Sequence, residues 1–295
     1  MNTRKNGTIS RLRYEFQYGM HACGSIYDLM FTNSLESLTY WYSQGIRLFE
    51  IDIDYAGNDE FVACHNFTRE TFEKMEIDDI PEKCTAEWFQ QQKLYKKSTA
   101  GLTPMTLKDV FAQMQKRADM LVMIDPKVYS HQETIVLLDK IKQMELEFGI
   151  NKERIVFELY NKDMISAAKC FPNTAQFQYC VDDEMEMGSS REMGDWDINC
   201  LIDYLNKNNI WILSYPWKLA VENLAVLRKF YEAGFVVFSK TRNDIFSELL
   251  RQAGVRINLI DHLVTQQQRE ELQSYKKDYY KKYKAKIDNV FGSIV

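Results

Sequence analysis

Short β-rich runs alternate with longer amphipathic runs along most of the chain, and this alternation predicts an architecture before any single residue is considered. Residues 33–44, NSLESLTYWYSQ, place apolar positions at helical spacing behind an Asn or Ser cap, with Glu36 in the first turn and Gly45 closing the helix. IRLFEIDID, from Ile46, follows as a strand, and FVAC at 61–64 predicts another that ends directly at His65. After a long polar stretch the pattern resumes. Helices are predicted over 107–117, 132–148, 162–169, 201–206, 221–233 and 245–253. They alternate with strands over 120–124, 154–159, 175–180, 210–214, 235–239 and 256–260, and a polar loop is expected after Cys180. A first strand just before His21, in the weakly apolar YEFQYGM, completes the series. Strands separated mostly by helices favour a closed parallel TIM (β/α)8 barrel over a doubly wound sheet.

Residues 1–265 read as the barrel, and 66–104, with Pro81, Pro104 and charged clusters, as an insertion or long loop after the second strand holding one or two short helices. Residues 266–295 turn to QQQREELQSYKKDYYKKYKAKIDNVFGSIV, a charged, exposed C-terminal helical extension. Its interleaved lysines and tyrosines are first a solvated or packing face, then a partner contact, and least of all a nucleic-acid contact.

Composition narrows the function classes. With 45% apolar residues among 295, the chain can bury a large core. A net charge of -5, with both signs well mixed, gives no broad footprint for nucleic acid, so nucleic acid is not an expected partner. The six cysteines form no CxxC pair and are sparse for a disulfide scaffold, so reduced thiols are expected. The opening MNTRKNGTISRLRYEF lacks an apolar secretory stretch, and no later run approaches the roughly 20 apolar residues of a membrane span. A cytoplasmic protein without stable membrane insertion is the expectation, or a secreted or peripheral one if a leader has been removed.

Candidate chemistry gathers where predicted strands end, because in a (β/α) barrel the side chains that meet around a substrate lie at those C-terminal ends. His21, Glu50, Asp52, His65, Asp125, Lys127 and Glu158 all satisfy that placement. Glu50 and Asp52 are two apart in an extended segment and share one face, between apolar Phe49, Ile51 and Ile53. Paired buried carboxylates repel unless a cation neutralises them, which favours a hard divalent metal; the bland alternative is an acidic strand edge paired with lysines. Neutral imidazoles exchange protons near pH 7, so His21 and His65 on opposite sides of a phosphorus could divide the work of base and acid.

The segment HACGSIYDLMFTNSLESLTYWYSQGIRLFEIDIDYAGNDEFVACHNF resembles the glycerophosphodiester phosphodiesterase family, within the phosphatidylinositol-specific phospholipase C-like phosphodiesterases. The resemblance implies a TIM barrel in which His21 and His65 are the two catalytic histidines. Glu50 and Asp52 match metal ligands, and Asn33 and Glu36 sit near the family's Glu-Asn-Thr helix start. LTPMTLKDVF, from Leu102, is similar to the threonine-leucine segment opening the next helix. In MLVMIDPK, Asp125 stands where the family has a third metal-binding glutamate, and Lys127 where it has a lysine near the phosphate. A local ion pair at the strand end is the alternative for those two residues. Implied too are a Mg2+ or Ca2+ ion and a small phosphodiester or lipid-derived headgroup as substrate. Two positions depart: Ala22 replaces the arginine that follows the first histidine, with Arg47 or Lys240 as possible substitutes, and the motif glycine is displaced to Gly24. Glu158 is a candidate for orienting a substrate hydroxyl, and Trp211, Tyr215 and Trp217 around Pro216 for an aromatic headgroup wall. The competing class is a catalytically silent barrel that binds a phosphorylated ligand or a protein partner.

Overall fold

The computed structural model describes residues 7–99, 101–181, 198–217, 220, 224–275 and 277–291. The polar loop expected after Cys180 falls almost wholly outside the described residues. Nine strands form the sheet, and the order in which they pair, with the first also pairing with the second, is that of a TIM barrel with one added strand. The chain divides into two compact units, Met20–Gln176 and a second made of Met1–Gly19 and Phe177–Val295.

In the first unit, Met20, the last residue of β1 (Tyr18–Met20), lies opposite Phe49 of β2 (Leu48–Gly57), and β4 (Leu121–Pro126) lies parallel to β2 on its other side. β5 (Ile155–Leu159) continues the parallel set beside β4. These strands are nearly continuous runs of buried aliphatic and aromatic residues, as parallel strands covered on both faces must be. The acidic residues Glu50, Asp52, Asp125 and Glu158 are the exceptions. β3 (Glu60–Ala63) behaves differently from the other strands: it runs antiparallel to β2, closed by a tight turn at Asn58 and Asp59 with φ of 53° and 56°. FVAC is therefore the returning arm of a hairpin, which carries His65 back beside β2.

Helix ends follow local chemistry. Helix α2 (Leu35–Ser43) is capped by Ser34, α5 (Leu107–Lys116) by a Thr106/Asp109 capping box and α6 (His131–Phe148) by a Ser130/Glu133 box, with left-handed Gly149 ending α6. Within 66–104 two short helices, Arg69–Lys74 and Ala86–Gln90, bury Phe72 and Phe89 in a small apolar cluster shared with Val62 and Cys64 of the hairpin.

In the second unit β6 (Gln176–Cys180), β7 (Ile212–Ser214), β8 (Val236–Asn243) and β9 (Ile257–His262) pair in parallel. The C-terminal segment is helical over Gln266–Tyr275 and over Lys277–Phe291. The second stretch has a packed face, because Tyr283 and Ile287, four residues apart, are both buried between exposed lysines. Among the described residues no helix is long and apolar enough to cross a membrane.

Candidate functional site

Register brings the carboxylates together. Asp52 of β2 lies directly opposite Asp125 of β4, and Glu50 is two residues earlier on the same face of β2. Glu50, Asp52 and Asp125 are each no more than 2% exposed, and one carboxylate oxygen from each lies within 4.8 Å of the others. Lys127, just past the end of β4, extends its ammonium to Asp52 Oδ1 at 2.8 Å and to Asp125 Oδ2 at 3.0 Å. Its own backbone N–H is fixed on the carbonyl of Ile53. The ion-pair alternative for Asp125 and Lys127 is thus present in the structure, with Asp52 joining it. Burial, the strongest influence on Asp52, pushes its carboxyl up; Lys127, His65 and His21 outweigh burial and the push of Asp125, leaving it below the usual range.

Asn33 holds Asp52 by two bonds: its Nδ2 donates to Asp52 Oδ2 at 2.8 Å, and its Oδ1 accepts from the Asp52 backbone N–H at 3.1 Å. This fully buried residue sits at φ 46°, a left-handed conformation that asparagine tolerates better than most residues. Its proximity to a helix start was visible in the sequence; its grip on Asp52 was not. Asp54, next on the same parity, is committed to structure, accepting from Phe67 N at 2.6 Å and Tyr55 N at 2.8 Å.

His21 begins a 3-10 turn, His21–Cys23, directly after β1. Its Nε2 is 3.9 Å from Glu50 Oε2, and its ring meets Phe31 edge to face with centroids 5.0 Å apart. Ala22 and Cys23 both adopt positive φ, which turns the Ala22 N–H onto Glu50 Oε2 at 2.5 Å. The position that carries arginine in the resembled family therefore contributes a backbone donor to a metal-ligand candidate. Gly24, at φ 86°, is required sterically as well, since a Cβ there would come within 2.4 Å of the Trp41 ring. His65 follows β3 and is exposed, while the preceding Cys64 N–H bonds the carbonyl of Asp52. Burial pushes the Cys64 thiol up to about 12 and also raises Cys23, so both are packing thiols and not nucleophiles.

Three triad carboxylates against one ammonium leave two negative charges, the amount a divalent cation neutralises, and all the donors are hard oxygens. The donor set fits a hard divalent cation.

Arg47 does not replace the missing arginine. It precedes β2, at the opposite end from Asp52, and is held there by Asp119 at 2.6 Å and by the carbonyls of Tyr42 and Ile46. Glu158 is fully buried with Oε2 2.8 Å from the hydroxyl of Tyr160, a residue that sequence reasoning passed over. Trp211, Tyr215 and Trp217 do not lie together at one end of β7. Trp211 precedes the strand, bonding Asn209 Oδ1 at 3.2 Å and packing on Phe235, whereas Tyr215 and Trp217 follow it and Tyr215 is buried against Phe230. His131 opens α6, with Nδ1 3.3 Å from the carbonyl of Asp163.

No protein-family model matches the chain, and no curated protein matches it in sequence. Solved structures do. A glycerophosphodiester phosphodiesterase from Parabacteroides distasonis aligns with TM-score 0.61 at 14% identity over 88% of this chain and 97% of its own. One from Thermotoga maritima aligns with TM-score 0.58 at 19% identity, over 83% of this chain and 94% of its own. An Oleispira antarctica phosphodiesterase, solved in complex with the product sn-glycerol-3-phosphate, aligns with TM-score 0.61 at 16% identity over 83% and 92% of the two chains. At these identities the likeness is one of fold, and it spans nearly the whole length of each of these proteins.

Proposed function

We propose that this chain is a divalent-metal phosphodiesterase of the glycerophosphodiester phosphodiesterase family, acting on a glycerophosphodiester or a related lipid-headgroup diester. The observation that carries the reading is the buried triad Glu50, Asp52 and Asp125, with its carboxylates within 4.8 Å, between strand ends that present His21 and His65. The fold shared with phosphodiesterases of that family supports it.

Glu50, Asp52 and Asp125 would hold the metal, which when bound supplies Lewis-acid polarisation of a phosphoryl oxygen. Lys127 adds a fixed positive charge beside the developing negative charge on phosphorus. His21 and His65 divide proton transfer, one taking the proton of the attacking hydroxyl and the other giving one to the leaving alkoxide. Where the substrate carries an adjacent hydroxyl, that group is the attacking one and a cyclic phosphate appears first. Asn33 and the Ala22 N–H fix Asp52 and Glu50, so these two ligands need no reorganisation during turnover.

A second reading, a silent barrel that binds a phosphorylated ligand, draws on Lys127, whose ammonium already sits on two of the three carboxylates. A panel of phosphodiesters assayed in EDTA and then with Mg2+ or Ca2+ separates the two. Metal-restored hydrolysis that falls by about 10²- to 10⁴-fold in His21→Ala and His65→Ala is the expected result. Full turnover in either folded variant refutes the assignment, and metal-independent ligand binding without hydrolysis favours the silent barrel.

A further inference from the structure

Asp125 stands on β4, apart from Glu50 and Asp52 of β2, and its carboxylate meets Tyr160. The Tyr160 hydroxyl lies 2.5 Å from Asp125 Oδ1 and 2.8 Å from Glu158 Oε2. Both carboxylates are buried, at 2% and 0% exposure, and the half-buried Tyr160 sets its phenol between them. The phenol has one proton to donate and lies within hydrogen-bond distance of both carboxylates, so Asp125 and Glu158 share it, while Lys127 holds Asp125 Oδ2 at 3.0 Å. With one oxygen fixed on each side, the plane of the Asp125 carboxylate is set.

The placement of Tyr160 is over-determined. It directly follows β5, whose Phe157 lies opposite Ile124, the neighbour of Asp125 on β4. Its backbone N–H meets Met164 Sδ at 3.4 Å, and its ring meets that of Tyr129 edge to face with centroids 5.6 Å apart. Glu158, two residues earlier on β5, completes the support. A phenol anchored by backbone, ring and a second carboxylate is a fixed hydrogen-bond donor, the property that keeps a metal-ligating carboxylate in its binding orientation.

We propose that Tyr160 is a positioning residue for the divalent-metal site, orienting Asp125, and that Glu158 serves the site by steadying Tyr160. The inference rests on the metal reading above and adds to it two residues of β5 and its end.

The test is metal affinity, measured by titration calorimetry and by the metal-induced rise in melting temperature, independent of turnover. Tyr160→Phe keeps the ring and removes only the hydroxyl. It is expected to weaken Mg2+ or Ca2+ binding by about 10- to 100-fold. A double-mutant cycle distinguishes positioning from general destabilisation: if Tyr160 acts through Asp125, then on an Asp125→Asn background Tyr160→Phe changes affinity by less than about twofold. Equal losses on both backgrounds overturn the proposal, as does unchanged affinity in Tyr160→Phe. Should that variant fail to fold, Glu158→Gln carries the same test, with a smaller loss expected and unchanged affinity again refuting. An unmodified protein that binds neither cation overturns the metal reading and the Tyr160 role with it. One that binds normally while Tyr160→Phe binds equally well overturns the Tyr160 role alone.

Discussion

Replacing Asn33 with alanine probes how a buried metal-ligand candidate is held when no metal contributes. The substitution removes the 2.8 Å donor to Asp52 Oδ2, a hydrogen bond to a carboxylate held ionised by its surroundings. Such bonds contribute about 1.5–3 kcal/mol. It also leaves the Asp52 backbone N–H, now bonded to Asn33 Oδ1 at 3.1 Å, with no partner at a fully buried position, at a cost of about 1–3 kcal/mol. Alanine at φ 46° adds about 1 kcal/mol of backbone strain. The terms overlap because both hydrogen bonds join the same two residues, so the expected net loss is about 4 kcal/mol, or about 6 °C in melting temperature for a chain of this size. Urea unfolding followed by circular dichroism in metal-free buffer gives the value. Asn33→Gly, which accepts the left-handed backbone but lacks the side chain, should recover about 1 kcal/mol of the loss. A loss below about 1 kcal/mol in Asn33→Ala would mean that Asp52 is held by something other than this clasp. Equal stability of the alanine and glycine variants would show that the backbone at residue 33 carries no strain.

Two further outcomes follow from the charges. Lys127→Met leaves Asp52 and Asp125 facing each other without their ammonium, so metal-free stability should fall by about 3 kcal/mol. Mg2+ or Ca2+ should restore most of that loss, seen as a larger metal-induced melting shift than in the unmodified protein; an equal shift would count against a shared cation site. Glu145 on α6 is pushed up from 4.5 to about 7, chiefly by burial and against the pull of Lys152 and Lys142. A carboxyl whose pKa is raised on folding favours the native state below about 4.5 and loses that advantage as pH climbs through 7. Glu145→Gln should therefore gain on the unmodified protein across that window, by about 1 kcal/mol after allowing for its partial exposure. Parallel stability profiles between pH 4 and 8 would refute the shift.

Much of the site was legible locally. The two-residue spacing of Glu50 and Asp52 within an apolar strand places both on one face whatever the rest of the chain does, and the alternation of runs points to a barrel because each run must bury its own apolar side. The position of His65 was legible for a subtler reason, since FVAC ends at it whether that strand runs parallel or antiparallel. What the spacing could not give was direction: β3 turns back on β2 because Asn58 and Asp59 adopt left-handed backbone, and only the pairing shows it.

The sequence by itself pointed to the fold class and placed the carboxylate pair on one strand face and the two histidines at strand ends, because periodicity and strand-end position are properties of short segments. Tertiary structure decided the rest. The β2–β4 register set Asp125 opposite Asp52, Lys127 folded back onto both, Asn33 reached across nineteen positions to clasp Asp52, and Tyr160 crossed from the end of β5 to Asp125. Contacts between residues so far apart in sequence depend on register and backbone turns, which no local pattern of apolar and polar residues encodes.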